Sequence, residues 1–171
     1  GEFTVVYGRG PEYKMIAQKV RIQAGPKGEP PTLSFKLVRW VNPMDQGWYS
    51  GDHHIHAAGC KHYTNPSEGV LPEDMFLHVK GEGMNVGCCL TWGPCYDYQR
   101  QFFEARPHRL TEPFTVLKYD VEVSGFGSQA LGHVCLLNLK DQTYPGSDGT
   151  KTKGWPTYTT PLMRWAKKQG A

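Results

Sequence analysis

The chain has 171 residues, of which 39% are hydrophobic and 12% aromatic, a composition typical of a folded domain with a buried core. Its 19 basic and 16 acidic residues leave a net charge of +3 and are spread along the sequence, so we predict no nucleic-acid partner. No apolar stretch approaches the roughly 20 residues that a membrane helix needs, so we also predict no membrane span.

The first residues and the cysteines bear on the cellular compartment. The stretch GEFTVVYG lacks the basic and apolar regions of a signal peptide. The five cysteines are an odd number and include no CxxC pair, and the adjacent Cys88 and Cys89 are predicted to be small buried hydrophobic residues. The compartment stays open, with a secreted or periplasmic location slightly favoured over a cytoplasmic one.

The sequence of residues 1–47 predicts a small antiparallel β-rich segment. The stretch KVRIQA alternates between polar and apolar residues, and LSFKL repeats the alternation with Leu33, Phe35 and Leu37 facing inward. The intervening GPKGEPP has the composition of a turn. We therefore expect two strands, joined by a turn, ahead of a histidine-rich segment.

Residues 48–171 alternate between predicted strands and helices. The spacing of apolar residues predicts a helix over 72–80, and NVGCCLTW is a continuous apolar run typical of a strand buried on both faces. A short helix is predicted in YDYQRQFFEA, two strands in FTVLKYDVEVSG and GHVCLLNLK, and a surface loop over 141–158. The stretch TTPLMRWAKKQGA predicts a last helix with Thr160 as N-cap and Gly170 as stop. This alternation indicates an α/β fold, built as a sheet or a barrel.

The stretch WYSGDHHIHAAGCKHY, residues 48–63, contains four of the seven histidines. If residues 50–57 form a strand, Asp52, His54 and His56 share one face, and His53 and Ile55 share the other. Two imidazoles at i and i+2 can chelate one cation, and the aspartate can join them or orient a ring. The alternative is an edge strand with solvated histidines.

Glu122 and His133 are the candidates for the remaining ligands. Glu122 lies within an apolar strand, where a cation would remove the penalty of burying an unpaired carboxylate. His133 opens the next strand, after a glycine that leaves room for close approach. With His54 and His56 they supply three nitrogens and one carboxylate, which suits zinc, or manganese or iron, and would also suit a carboxylate bridging two metals. The alternatives are a salt-bridged or surface glutamate and a hydrogen-bonded structural histidine.

The remaining histidines are weaker candidates. His62 and Cys60 belong to the loop after the predicted strand, where each either faces a substrate or is an ordinary loop residue. His78 lies in the predicted helix and is expected to be structural. His108, which follows a proline, is expected at the surface.

The two motifs resemble those of a known superfamily. YSGDHHIH resembles the first motif of the PHP (polymerase and histidinol phosphatase) superfamily, and DVEVSG followed by GHVCLLNL resembles its next metal motif. Within it the chain is most similar to the CehA/McbA-like metallohydrolases, relatives of carbaryl hydrolase. The resemblance covers roughly residues 48–140 and depends on both motifs occurring in order.

That resemblance implies a distorted (β/α)7 barrel whose strand ends hold up to three divalent metals. Water activated there attacks a phosphoester, or an ester, amide or carbamate carbonyl. The resemblance further implies that His54 and His56 hold one metal, that Glu122 bridges two, and that His133 binds the second. Asp52 matches the aspartate of the first motif.

The chain departs from the family pattern in its second strand and in its length. The strand usually ends in Thr-Asp-His, but this chain has Trp92 in place of the aspartate, which leaves a third metal without its ligand; Cys95 is a weak substitute. Trp92 would instead lie on the substrate side. Residues 48–171 supply only part of a (β/α)7 barrel, so we expect a β-rich segment over 1–47 and an incomplete barrel over 48–171, the N-terminal fragment of an enzyme and inactive alone.

The leading functional hypothesis is a metal-dependent hydrolase of phosphoesters, esters, amides or carbamates, with a small-molecule substrate. Catalytic residues other than metal ligands are not assigned. One alternative is a metal-stabilised scaffold that binds a sugar or other ligand without turnover. A second is a structural or assembly protein whose strands pair between subunits. Self-association, or a C-terminal part supplied elsewhere, is the expected protein partnership.

Overall fold

The computed structural model describes residues 1–23, 25, 28–59, 63–91, 94–124, 132–147 and 153–171. The chain divides into two compact units, Gly1–Tyr49 with Gly81–Gly83, and Ser50–Lys80 with Met84–Ala171. None of the described helices has the length and apolar content that a membrane crossing requires.

The first unit is built on an antiparallel hairpin. Strands β1 (Glu2–Tyr7) and β2 (Ile16–Arg21) pair along their whole length, and a 3-10 helix follows at Pro43–Gln46. The buried Glu12 carboxylate accepts hydrogen bonds from the guanidinium of Arg39. Residues 1–47 thus contain an antiparallel pair, but it joins Glu2–Tyr7 to Ile16–Arg21, whereas the prediction joined KVRIQA to LSFKL.

The prediction that LSFKL forms a strand in this unit is wrong. Residues 31–38 are all described and lie outside any strand. Leu33 and Leu37 are 39% and 42% exposed, and the Phe35 ring lies 4.7 Å from the ring of Tyr7. Alternation marks one face of an extended segment, but a strand also needs a hydrogen-bonding partner. The segment gains a backbone hydrogen bond only at its end, where Lys14 N–H donates to the Val38 carbonyl.

The second unit contains a four-stranded sheet that curls into half a barrel. Its strands, in spatial order, are β3 (Gly51–Ile55), β4 (Val86–Thr91), β5 (Val116–Ser124) and β6 (His133–Leu136). The first three are parallel, and β6 is antiparallel to β5. The predicted strands in residues 50–57, NVGCCLTW, FTVLKYDVEVSG and GHVCLLNLK are thereby confirmed.

Three α-helices accompany this sheet in the described residues. They are α1 (Pro72–Gly81), α2 (Pro94–Gln99), which continues as a 3-10 helix over Arg100–Phe102, and α3 (Thr159–Gln169). The helix predicted over 72–80 is confirmed. In α3 the predicted cap is wrong, because the helix begins at Thr159 with Tyr158 at the N-cap position, but Gly170 ends it as predicted, with φ of 83°.

The predicted partial (β/α)7 barrel is wrong. The described part of the chain has three α-helices and a four-stranded half-barrel sheet, in which strand–helix units with parallel strands run only from β3 to β5. The alternation ends after β5, because residues 125–132 separate it from β6 and a parallel crossover needs a dozen residues or more. A connection this short allows only antiparallel pairing, so β6 pairs with β5 in the antiparallel direction and the run of parallel strands ends at β5.

The two faces of β5 are chemically different. Its odd-numbered residues Leu117, Tyr119, Val121 and Val123 are at most 2% exposed and pack with residues of α1, α2 and α3. Ile55 of β3, Cys89 of β4 and Val134 of β6 pack in the same core clusters. The opposite face of β5 carries Lys118, Asp120 and Glu122, which are also buried. We call it the polar face of the sheet.

The predicted surface loop over 141–158 contributes to the core in its described part. Gln142 is 4% exposed, and the rings of Tyr144 and Trp155 pack against the cluster around Val121 and α3. The two rings lie 5.8 Å apart. These residues hold the segment against the sheet, although its polar composition predicts only a surface loop.

Candidate metal centre

The polar face gathers the residues of the histidine-rich segment. Strand β3 directs Ile55 into the helix-side core, and the alternation of the strand places His54 on the opposite side. His56, one residue beyond the strand, joins His54 there, since its ring lies 5.0 Å from the ring of His54. His54 and His56 therefore share a face, as predicted, whereas the register with β4 shifts between Asp52 and Ile55, so alternation does not place Asp52 with them.

Two imidazole nitrogens meet one oxygen of Glu122. His54 Nε2 lies 2.8 Å from Glu122 Oε2, His56 Nε2 lies 3.2 Å from the same oxygen, and the two imidazole nitrogens are 3.1 Å apart. Among the described residues, His54, His56 and Glu122 form the one group whose ligand atoms all lie within 4.8 Å of one another and that could hold a metal ion.

The second oxygen of Glu122 meets the fourth predicted ligand. His133 Nδ1 lies 2.5 Å from Glu122 Oε1, while its side chain is 63% exposed. His133 begins β6 as predicted, and the antiparallel register sets it opposite Ser124, two residues along β5 from Glu122. The carboxylate therefore faces two imidazoles with one oxygen and a third imidazole with the other.

Glu122 is the buried member of this group. Its side chain is 5% exposed, whereas those of His54 and His56 are 36% and 45% exposed. Burial raises the pKa of Glu122, but hydrogen bonds with His54 and His133 and the charges of His54 and His56 outweigh burial, so the pKa is below its ordinary value of 4.5. The buried carboxylate is held as an anion, with the histidine rings between it and solvent.

The donor positions fit a divalent cation. Ligand atoms about 2.0–2.1 Å from one cation are separated by about 2.8–3.4 Å at octahedral to tetrahedral angles. The three separations among His54, His56 and Glu122 are 2.8, 3.1 and 3.2 Å. A neutral imidazole has a single N–H, so hydrogen bonding among these three atoms requires protons on the nitrogens that face one another. A bound cation takes the place of those protons.

Asp52 contacts the backbone of the site. Its Oδ1 accepts a hydrogen bond of 2.9 Å from the backbone N–H of His54. This contact joins residues i and i+2 and fixes the end of β3 from which the His54 ring projects. Asp52 thus contacts the backbone that carries His54, whereas the predicted roles were those of a metal ligand or of an acceptor that orients a histidine ring.

The predictions for four further residues have different outcomes. Cys60, His62 and Trp92 lie outside the described residues. Cys95 is 5% exposed and lies outside the metal-binding group of the described residues.

The surface location predicted for His108 is wrong. It is 6% exposed, and its ring lies 5.8 Å from that of Tyr119 on the helix side of β5. Its backbone N–H donates to the Leu117 carbonyl, so the turn after Pro107 brings the residue back onto β5. Burial lowers its pKa. His78, by contrast, is exposed on α1.

A buried ion pair lies beside the candidate site and was not predicted from the sequence. Lys118 Nζ is 3.3 Å from Asp120 Oδ1 and donates to the Glu104 carbonyl at 2.5 Å. The other Asp120 oxygen accepts from the Asn138 backbone N–H at 2.8 Å, and Gln142 donates to Oδ1 at 3.1 Å. Burial raises the pKa of Asp120, although the charge of Lys118 and these hydrogen bonds oppose the shift.

Cys135 was also missed as a neighbour of the site. It is paired with Glu122 across the β5–β6 ladder and is partly exposed, whereas Cys88, Cys89 and Cys95 are buried. The signal was present in the sequence, since Cys135 follows His133 by two residues and must share its face.

Comparison of the chain with protein-family models, with curated proteins and with solved structures gives no match. The resemblance of the two motifs to the PHP superfamily therefore stays a prediction.

Proposed function

We propose that this chain binds a divalent metal at His54, His56 and Glu122, and that this centre serves a metal-dependent hydrolase. The observation that carries the proposal is the buried Glu122 carboxylate, which faces two imidazole nitrogens with one oxygen and a third with the other. A nearly buried carboxylate surrounded by solvent-accessible imidazoles is suited to binding a cation that arrives from solvent.

Zinc is the favoured metal in this proposal. Three imidazole nitrogens and one carboxylate form a donor set of intermediate hardness, and zinc is commonly held by histidine together with glutamate. Manganese and iron accept the same ligands. The carboxylate, with histidine donors at each oxygen, also suits a bridge between two metals, as the motif resemblance implies.

The residues of this centre have distinct roles in hydrolysis. A bound divalent metal lowers the pKa of water and stabilises negative charge that develops on a phosphoryl or carbonyl oxygen. Glu122 supplies the anionic ligand from the buried side of the site. His54 and His56 supply neutral ligands at its exposed side, where a small substrate has access. Asp52 fixes the backbone that carries His54.

The substrate class in this proposal comes from the motif resemblance: a phosphoester, or an ester, amide or carbamate. These substrates share an electrophilic centre whose oxygen gains negative charge during attack by water. The partly exposed rings of His54 and His56 leave that side of the centre open to a small molecule.

Metal analysis combined with hydrolysis assays tests this function. Chelator-treated protein is dialysed against zinc, manganese or iron, and bound metal is measured for wild type, a His54→Ala, His56→Ala double variant, and His78→Ala as an exposed control on α1. We expect near-stoichiometric binding by wild type and His78→Ala and loss of binding in the double variant. Hydrolysis of p-nitrophenyl phosphate and p-nitrophenyl acetate is then measured with the same samples.

Two outcomes overturn different parts of the proposal. If wild type binds none of the three metals, or the double variant binds them equally well, the metal centre is wrong. If metal binds at these residues but neither phosphate nor carboxyl esters are cleaved by this chain or by a longer protein that includes it, the hydrolase is wrong and a metal-stabilised binding scaffold takes its place.

A further inference from the structure

The outer edge of β1 pairs with no strand in the described part of the chain, because β1 and β2 form a sheet of two strands. Gly1 and Ile22 exchange backbone hydrogen bonds of 2.7 and 2.8 Å, and the register continues from this pair along both strands. Hydrogen-bonded and non-hydrogen-bonded pairs alternate in an antiparallel ladder, so the backbone N–H and C=O groups of Glu2, Thr4 and Val6 point away from β2. They form a row of donors and acceptors that a further strand can bind.

The side chains along this edge are suited to strand pairing. Phe3 and Val6 are 52% and 59% exposed, although aromatic and β-branched residues are stabilised in strands by packing against neighbours. Edge strands that avoid association carry charges, prolines or bulges. Residues 3–6 of β1 have neither a charge nor a proline, and the register with β2 is regular along the whole strand. This edge therefore lacks the features that prevent pairing with another chain.

The outer edge of β2 has the opposite character. By the same alternation, its outward backbone groups belong to Ala17, Lys19 and Arg21. If two copies paired antiparallel along this edge with the longest overlap, Lys19 would lie opposite Lys19 of the second copy. Like charges directly opposite each other destabilise a ladder. The β2 edge is therefore protected from pairing with itself, and the β1 edge is not.

We propose that two copies of this chain pair along β1, antiparallel and about a two-fold axis at Thr4, to form a four-stranded sheet. In this register Thr4 lies opposite Thr4 of the second copy and Glu2 lies opposite Val6, so no like charges face each other. Phe3 lies opposite Val5 of the second copy in a non-hydrogen-bonded pair, where opposed side chains are closest. Pairs of threonine with threonine and of an aromatic with a β-branched residue both stabilise antiparallel strands.

A closed dimer is favoured over an open chain of copies. Pairing of β1 with β2 of another copy would set Glu2 opposite Arg21, but it would leave a free edge at each end of the assembly and would not close. The two-fold arrangement covers both β1 edges and brings Phe3 of each copy against Val5 of the other. A two-stranded sheet is marginally stable by itself, so the additional strands also stabilise the hairpin. This inference does not depend on the proposed metal centre.

The oligomeric state of matched proline variants tests the proposal. Sedimentation velocity is measured from micromolar to millimolar protein, with a reductant and a chelator present to prevent disulfide-linked and metal-linked dimers. We expect wild type to dimerise as its concentration rises. Thr4→Pro should raise the dissociation constant of the dimer by about tenfold or more, because it removes both N–H donors at the two-fold axis. Lys19→Pro, at the ladder partner of Thr4, removes an outward N–H of the other edge and should leave dimerisation unchanged.

Three outcomes would overturn the proposal. Wild type that stays monomeric up to millimolar concentration has no such interface. A dimer that persists in Thr4→Pro uses another surface. Oligomers that grow beyond the dimer, and that both proline variants disrupt, would assign the contact to β1 of one copy and β2 of the next.

Because proline can disturb the hairpin itself, hydrogen exchange of the wild-type protein provides a second measurement. Exchange of single backbone amides is followed by NMR at a low and a high protein concentration. We expect the amides of Thr4 and Val6 to exchange more slowly at high concentration, because the second copy accepts their hydrogen bonds. The amides of Lys19 and Arg21 should exchange at the same rate at both concentrations. Equal exchange of Thr4 and Val6 at the two concentrations would contradict pairing along β1.

Discussion

The Nε2 atom of His54 lies 2.8 Å from Oε2 of Glu122, although the two residues are 68 positions apart in the sequence. They belong to β3 and β5, which are separated in the sheet by β4. The contact is therefore made across the polar face, over a whole strand, by two side chains that project toward each other. The folding of three parallel strands is what assembles the candidate centre.

Glu122→Gln is expected to weaken metal binding by about tenfold or more. The amide retains the shape of the side chain but removes the negative charge that faces His54, His56 and His133. Affinity is measured by competition with a chromophoric zinc chelator. Glu112→Gln is the matched control, since Glu112 forms an exposed ion pair with Lys80. A Glu122→Gln variant that binds zinc as tightly as wild type would show that the carboxylate is not a ligand.

The buried pair of Lys118 and Asp120 is expected to show strong coupling in unfolding experiments. Asp120→Asn alone leaves the Lys118 ammonium without its counter-charge in a buried position, and we expect a loss of about 3–5 kcal/mol. Lys118→Met alone should have a similar effect. The double variant should lose less than the sum of the two single losses, because no uncompensated charge remains.

Urea unfolding of wild type, the two single variants and the double variant measures this coupling. Glu112→Gln again serves as the control, because the pair that it forms with Lys80 is exposed and should contribute only about 0–1 kcal/mol. Additive losses for Lys118 and Asp120 would mean that the two charges do not interact in the folded protein.

Gly87 is expected to tolerate no larger residue, because α1 packs directly against β4 at this point. A Cβ atom at residue 87 would lie 2.4 Å from Cγ2 of Val79, which is 1% exposed. We expect Gly87→Ala to lower the free energy of unfolding by about 1–3 kcal/mol, as overpacking does. Adding Val79→Ala should recover part of that loss, so that the double variant loses less than the sum of the single variants.

Gly81→Ala provides the control for this prediction. Residue 81 lies at the end of α1 and has no atom within 4 Å of an added Cβ. Its substitution should change stability by no more than about 1 kcal/mol. If Gly87→Ala is equally neutral, the close packing of α1 on β4 is wrong.

The local elements of this fold were accessible from the sequence because their patterns are self-contained. The helix over 72–80 has a proline and acidic residues in its first turn, and NVGCCLTW is apolar throughout, so neither prediction needed a partner. The segment LSFKL shows the limit of such patterns. Its alternation is that of a strand, but strand formation depends on distant pairing that a single segment does not encode.

The part of the candidate site that could be predicted consists of polar residues that stand out within apolar strands. Glu122 and the face shared by His54 and His56 followed from the period of two. The buried pair of Lys118 and Asp120 was missed, although these residues have the same period as Glu122, because its burial depends on hydrogen bonds with Glu104, Asn138 and Gln142, which lie outside the strand. The period of two places Cys135 on the face of His133, but its pairing with Glu122 depends on the antiparallel register of β6, whereas a partial barrel was expected.

Cys88 and Cys89 are expected to resist alkylation in the folded protein. Burial, the largest cause, raises the pKa of Cys88 from 9.0 to about 11 and that of Cys89 from 9.0 to about 12. At pH 8 the reactive thiolate is then about one part in a thousand of Cys88 and one part in ten thousand of Cys89, against about a tenth for an unburied thiol. We expect iodoacetamide to modify both residues only after unfolding, and Cys135 to react earlier in metal-free protein because it is partly exposed.

The same shifts set the direction of the pH dependence of stability. Because the folded-state pKa values are raised above 9.0, the unfolded chain loses these protons first as the pH rises. Their contribution to stability is thus complete below about pH 9 and is lost as the pH approaches 11 to 12. Urea unfolding between pH 8 and pH 11 measures this decline, and Cys89→Ala should make it shallower. An unchanged slope in Cys89→Ala, or labelling of native Cys89 as fast as that of Cys135, would contradict the burial of this thiol.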